Sequence, residues 1–220
     1  MNFLQTSSIE SYIDQIPFKA TVVFDWDNTL KVTSADRKAI TSGLSKESLN
    51  TLVQVKQSTL YIISAIRPTR MNMDTLLIEV DKLGLRRYFC PECKREHFSS
   101  EVCSHDIKSD IVRDNHPYVC WGNIIICGYD KAEVFLELLE KDDVINDDHQ
   151  NTQQQKYDSW DEVDGISNSS LMDEVDGIGN SSLKLQQNFH RDVYFFDDEF
   201  VNIENFSQLV KDSTCVFVTK

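Results

Sequence analysis

The sequence predicts an α/β fold, a central parallel sheet flanked by helices, on three observations. Short continuous apolar runs recur, as suits strands buried on both faces: TVVFD at 21–25, TLYIIS at 59–64, GNIIIC at 122–127, VYFFD at 193–197 and TCVFV at 214–218. Between them, residues 45–57, 69–84, 131–141 and 203–211 place apolar side chains at three- and four-residue steps, the spacing of helices with one buried face. Strand and helix take turns, which implies right-handed crossovers and a parallel sheet. Hydrophobic residues at 40% of a 220-residue chain can fill its core. Sheets of this kind bind ligands beyond the carboxyl ends of their strands, so the chemistry is sought just after each apolar run.

Composition narrows the function classes. Twenty-two Lys and Arg face 36 Asp and Glu, a formal net charge of −14 that repels a nucleic-acid backbone and an anionic membrane alike. No run approaches the roughly 20 apolar residues of a transmembrane segment, and the opening MNFLQTSSIESYIDQ lacks a basic n-region and an apolar h-region. A soluble, cytoplasmic chain is expected, in a reducing compartment, because its six cysteines are unevenly spaced for a disulfide scaffold. Cys120, Cys127 and Cys215 lie in or beside apolar runs and are read as packing residues.

Residues 142–190 differ from the rest. They hold eleven acids against Lys156 and Lys184, are rich in Asn, Gln and Ser, and contain a tandem near-copy, DEVDGISNSSL from Asp161 and DEVDGIGNSSL from Asp173. Two copies are too few to stack into a solenoid, so the stretch reads as a flexible acidic insertion. The expected organisation is a core over 1–141 with an irregular lip at 86–120, the insertion over 142–190, and completion of the core by 190–220.

The first apolar run ends in Asp25-Trp26-Asp27-Asn28-Thr29. Two carboxylates two residues apart at a strand end fit an Asx-turn or a metal and nucleophile site. The second run ends in Ser64, whose hydroxyl suits either a phosphoryl oxygen or a helix N-cap. After the third, Lys131 opens a helix at the end the macrodipole makes unfavourable for a cation, which points to an anionic partner. The fourth ends in Asp197-Asp198-Glu199, acids that repel one another unless a cation or solvent relieves them.

In this order, DxDxT, Ser, Lys and an acidic pair, the chain resembles the haloacid dehalogenase superfamily of phosphohydrolases over roughly residues 18–141 and 190–220. The resemblance implies a core of that superfamily's Rossmann-like type. It implies Asp25 as a nucleophile forming an aspartyl phosphate and Asp27 as general acid and base, with Thr29 as a landmark. Ser64 and Lys131 would hold the phosphoryl oxygens. Mg²⁺ would be bound by Asp25, the backbone carbonyl of Asp27, and Asp197 or Asp198. The residue types agree, since a carboxylate attacking a phosphate ester needs a hard cation and a Lys to offset like-charge repulsion, and oxygen ligands suit Mg²⁺.

Substrate access follows from spacing. Residues 30–63 are mostly consumed by one helix and its approach, and 86–120 are too short for a large cap, so the crevice should be open or lightly capped. That favours a phosphorylated protein, with phosphotyrosine preferred, and Trp26 and Tyr129 as aromatic walls or as packing residues. Arg67, Arg70, Arg86, Arg87, Lys94 and Arg95 make a basic side that reads as a solvated face or as an anchor for acidic or phosphorylated segments. Within the lip, Cys90, Cys93, Cys103 and His105 or His97 offer four zinc ligands or, alternatively, free thiols. His116, His149 and His190 have no usable spacing and are read as structural. The small cap and the FFDDEFVN segment are similar to the superfamily's phosphotyrosine phosphatases that intracellular bacteria such as Legionella deliver into host cells. The DEVDG copies resemble the cleavage sequence of executioner caspases, so clipping after Asp164 or Asp176 is expected in a host cell. The competing readings are a non-catalytic phosphate-binding scaffold and a small-metabolite phosphatase.

Overall fold

The computed structural model describes residues 3–113, 115–140 and 192–219. Met1–Leu138 and Arg191–Lys220 form one compact unit. The acidic insertion, both DEVDG copies, His149 and His190 therefore lie outside the described residues.

The unit is α/β, with an eight-stranded, mostly parallel sheet flanked by helices. Its strands are β1 (Phe3–Thr6), β2 (Thr21–Phe24), β5 (Thr59–Ser64), β6 (Asp110–Val112), β7 (Tyr118–Trp121), β8 (Ile124–Ile126), β9 (Val193–Asp197) and β10 (Ser213–Val218). They lie in the order β1-β10-β9-β2-β5-β8-β7-β6. A separate antiparallel hairpin, β3 (Lys31–Thr33) with β4 (Ile40–Ser42), follows the first strand end. The chain runs outward from β2 through β5 to β8, then returns to place β9 on the other flank of β2. The strand order thus reverses at β2, and the loops after β2 and β9 part there, the position at which an open α/β sheet forms a crevice.

Burial follows the apolar runs. All four residues of β2 are buried, and Phe24 stacks on Phe196 across the β2–β9 pair at 5.5 Å. Phe195, on the opposite face of β9, stacks on Phe206 at 4.0 Å. Each such ring removed from water contributes about 1.5–3 kcal/mol. Helix α2 (Arg70–Lys82) buries Met73, Leu76, Leu77 and Val80, a stripe of three- and four-residue steps. The Thr69 side chain caps its start by accepting from the Asn72 N–H. Its end closes on Gly84, whose φ of +68° permits N–H bonds from Gly84 to Asp81 and from Leu85 to Val80. Helix α1 (Lys46–Asn50) continues into a wider π-helical turn over Thr51–Val55, α4 spans 131–140, and α5 is Phe200–Leu209.

Two expectations are corrected. The third run is not one strand from 122, because Gly122 and Asn123 make the turn between β7 and β8. Gly122 has φ +53°, and a Cβ there would sit 2.8 Å from the Phe89 carbonyl oxygen. Nor is 86–120 irregular throughout. It contains a 3₁₀ turn (Arg86–Phe89), helix α3 (Pro91–Arg95), and β6 and β7, which extend the sheet antiparallel beyond β8. Among the described residues, no helix is long and apolar enough to cross a membrane.

Candidate active site

Register sets the strand ends side by side. Phe24 is opposite Phe196 and Ile62, so Asp25 and Asp197 emerge at one level with Ser64 two residues beyond Ile62. The Asp25 N–H donates to the Phe196 carbonyl at 2.8 Å, extending this alignment past β2. Between them sits a cleft of about 160 Å³ lined by Asp25, Asp27, Asn28, Ser64, Ala65, Ile66, Lys131, Asp197, Asp198, Glu199 and Asn202.

Lys131, the first residue of α4, explains its place at a helix start. Its Nζ donates to Asp25 Oδ1 at 2.6 Å and to Asp197 Oδ2 at 2.7 Å, and all three side chains are buried. Asp197 is further held by the Asn202 side-chain amide at 3.0 Å and the Glu199 N–H at 2.8 Å. Burial pushes the Asp25 carboxyl up from 3.8 to about 7 against the pull of Lys131, and Asp197 and Asp198 push the same way. Burial also raises the Asp197 carboxyl, again opposed by Lys131. Burial works against the Lys131 ammonium, yet the two carboxylates hold it above its ordinary range. Two buried carboxylates therefore share one ammonium, and a proton or an added cation relieves the excess charge. Asp25, Asp197 and Asp198 each bring a carboxylate oxygen within 4.8 Å of the others, an all-oxygen set that fits a hard divalent ion.

Asp27 lines the cleft, and its Oδ1 is 2.6 Å from the Lys31 ammonium. Lys31 is 3.0 Å from Glu79 on α2, and Glu79 also accepts from the Trp26 indole N–H at 3.1 Å. Trp26 is 0% exposed. Of its two expected roles, aromatic wall or packing residue, burial leaves the second: the ring packs inside, and its N–H helps to fix the group that holds Lys31. Thr29 is buried, with its hydroxyl oxygen lacking a hydrogen-bond partner. Gly43 approaches so closely that a Cβ there would lie 2.3 Å from the Thr29 carbonyl oxygen. Arg67 is exposed and Tyr129 is 78% exposed, and neither lines the cleft.

The sequence reading gave no role to Asn28, Lys31, Glu79 or Asn202, and read Glu199 only as part of an acidic run. Asn202 alone carried a usable signal, since it lies one residue before the apolar Ile203 and so near the inner face of α5. His116, assigned no partner by its spacing, lies 3.4 Å from Asp130 beside Lys131.

A second cluster forms away from this cleft. Cys90, Cys93, Cys103 and His105 bring one donor atom each within 4.8 Å of the others, and His97 is not among them. Two members of the basic side serve packing instead of anchoring. Arg86 pairs with Asp81 at 2.8 Å and lies over the Trp121 ring, while the buried Arg87 donates to the Phe98 carbonyl at 3.2 Å. Against protein-family models, curated proteins and solved structures, the chain has no match.

Proposed function

We propose that this chain is a Mg²⁺-dependent phosphomonoester hydrolase of the haloacid dehalogenase type. The observation that carries the reading is the buried Asp25–Lys131–Asp197 constellation at the point where the strand order reverses. In this reading the Asp25 carboxylate attacks phosphorus, the ester P–O bond breaks, and Asp27 gives its proton to the leaving oxygen. Asp27 then takes a proton from water, which attacks the phosphorus and releases inorganic phosphate and the Asp25 carboxylate. Lys131 and Ser64 hold the phosphoryl oxygens, and Lys131 offsets repulsion between nucleophile and substrate. Lys31, held by Glu79, fixes where Asp27 stands. Magnesium, held by Asp25, Asp197 and Asp198, would supply further neutralisation of the phosphoryl charge.

The size of the cleft supports a substrate class. A cleft of about 160 Å³ is smaller than the roughly 300–1,000 Å³ that encloses a whole small molecule. It suits the reacting group alone, with the remainder of the substrate outside. Its lining takes no residue from the β3–β4 hairpin or from 86–120. A phosphorylated protein side chain fits such an open site, and phosphotyrosine is put first by the resemblance of the FFDDEFVN segment alone, since no aromatic ring lines the cleft. Hydrolysis of p-nitrophenyl phosphate with and without added Mg²⁺, comparing wild type with Asp25→Asn, tests the proposal. Turnover that needs both Mg²⁺ and Asp25 is expected. A folded wild type that binds Mg²⁺ and turns over neither this ester nor phosphotyrosine peptides would overturn it.

A further inference from the structure

We propose that Cys90, Cys93, Cys103 and His105 form a closed, structural zinc site, with Glu96 orienting the histidine. This is independent of the phosphatase reading, because none of these residues lines the acidic cleft.

His105 Nδ1 lies 3.7 Å from Cys90 Sγ, 3.5 Å from Cys93 Sγ and 3.8 Å from Cys103 Sγ. A neutral imidazole offers one lone pair at that nitrogen, which can accept one S–H donor and not three. Three sulfurs converging on one nitrogen are better explained by a common centre. Tetrahedral zinc, with Zn–S of about 2.3 Å and Zn–N of about 2.0–2.1 Å, places sulfur and nitrogen about 3.6 Å apart. The three separations cluster around that value.

The far side of the ring is held as well. His105 Nε2 is 3.2 Å from Glu96 Oε1, a position in which Nε2–H donates and the Nδ1 lone pair is left to face the sulfurs. A carboxylate behind a ligating imidazole is the usual means of fixing its tautomer and orientation.

Cys90 and Cys93 are buried at the start of the five-residue helix α3, whereas Cys103 and His105 lie in an irregular stretch at 99–109. So short a piece has little core of its own, and a bound metal supplies the stability that burial cannot. The clamp has a target. The Phe89 carbonyl accepts the Asn123 N–H at 2.9 Å, and the Asn123 side chain donates to Leu60 on β5 at 3.0 Å. Metal at Cys90 therefore ties the 99–109 loop to a backbone point that reaches the central sheet within one residue. Four protein ligands leave no open position, so the role is structural.

The 220-residue chain, purified without chelator, is assayed for zinc by elemental analysis and for thiols by titration, then reloaded with Co²⁺ as a spectroscopic substitute. One zinc per chain is expected, with thiols at Cys90, Cys93 and Cys103 protected until it is removed. The Co²⁺ form should show thiolate charge-transfer absorption and the intense visible bands of a tetrahedral ion. Cys103→Ser should abolish the stoichiometric metal. Should that variant not fold, Glu96→Gln keeps all four ligands and should lose zinc to a competing chelator at about 10–100-fold lower chelator concentration. A folded wild type with reactive thiols and no Co²⁺ spectrum after reloading would overturn the proposal. A disulfide between any two of the three cysteines in protein purified under reducing conditions would do so as well.

Discussion

Replacing Asp25 by Asn takes one charge out of a pocket in which two buried carboxylates share one ammonium, so its effect on stability should oppose its effect on turnover. In the wild type the Asp25 carboxyl titrates at about 7 instead of 3.8. At 1.36 kcal/mol per pH unit, ionising it in the folded protein costs about 4 kcal/mol more than in the unfolded chain. With the folded value above the unfolded one, the folded protein holds the extra proton between the two. The wild type therefore loses stability as pH rises from about 4 to about 7 and levels off above that. Asn carries no such cost. The variant should gain on the wild type through the same window, with the gap widening by about 2–3 kcal/mol between pH 5 and pH 8. At roughly 2–4 °C per kcal/mol for a chain of this size, the Tm difference should grow by about 4–12 °C. The assay is thermal unfolding of both proteins by circular dichroism across that range, at fixed ionic strength. Magnesium is omitted without adding a chelator, so that the proposed zinc site at Cys90 is left as purified. Hydrolysis of p-nitrophenyl phosphate by the variant should fall on the order of a thousandfold or more. A gap that stays flat with pH, or a variant that loses stability at pH 8, would refute the charge-sharing argument.

Three further outcomes follow from the same geometry. Lys131→Met leaves both carboxylates buried without a counter-charge and should cost about 3–5 kcal/mol near neutral pH, a loss that denaturant unfolding should find smaller in acid and partly restored by Mg²⁺. Gly43→Ala drives a Cβ against the Thr29 carbonyl and should destabilise by about 1–3 kcal/mol while slowing turnover, because the loop carrying Asp27 has to shift; an unchanged kcat would argue against that coupling. Trp26→Phe removes the indole bond to Glu79 and should cost about 1 kcal/mol, yet leave KM for aryl phosphates unchanged, since the ring is sealed from the cleft.

The residues the sequence reading placed at the cleft, Asp25, Asp27, Ser64, Lys131, Asp197 and Asp198, were legible because each stands at the end of an apolar run or at a helix start. A parallel sheet turns those linear positions into spatial neighbours. The residues that support them were not legible. Glu79 reaches Trp26 across 53 positions, and Asn202 faces Asp197 only because α5 packs against β9. Trp26 could be read from sequence as a cleft wall or as a packing residue, and only the fold, which buries its ring and pairs its N–H with Glu79, decides for packing. β1 escaped notice because it is an edge strand with mostly exposed residues, which leaves no buried run to read. Spacing could not choose between His97 and His105; the fold brings only the latter to the sulfurs.

The sheet order also fixes what a break in the chain would do. Residues 1–140 supply Asp25 and Lys131, and the segment from 192 supplies Asp197, with β9 seated against β2 and β10 seated against β1. The last two strands are thus gripped from both sides by the longer part of the chain. A single cut anywhere in 142–190 would convert the protein into a two-piece complex, held without a covalent link and with the residues of the candidate site divided between the two pieces. Its folding would become bimolecular, so that its Tm would rise with protein concentration. β1, a modest edge strand in the intact chain, would then act as the second jaw of a clamp.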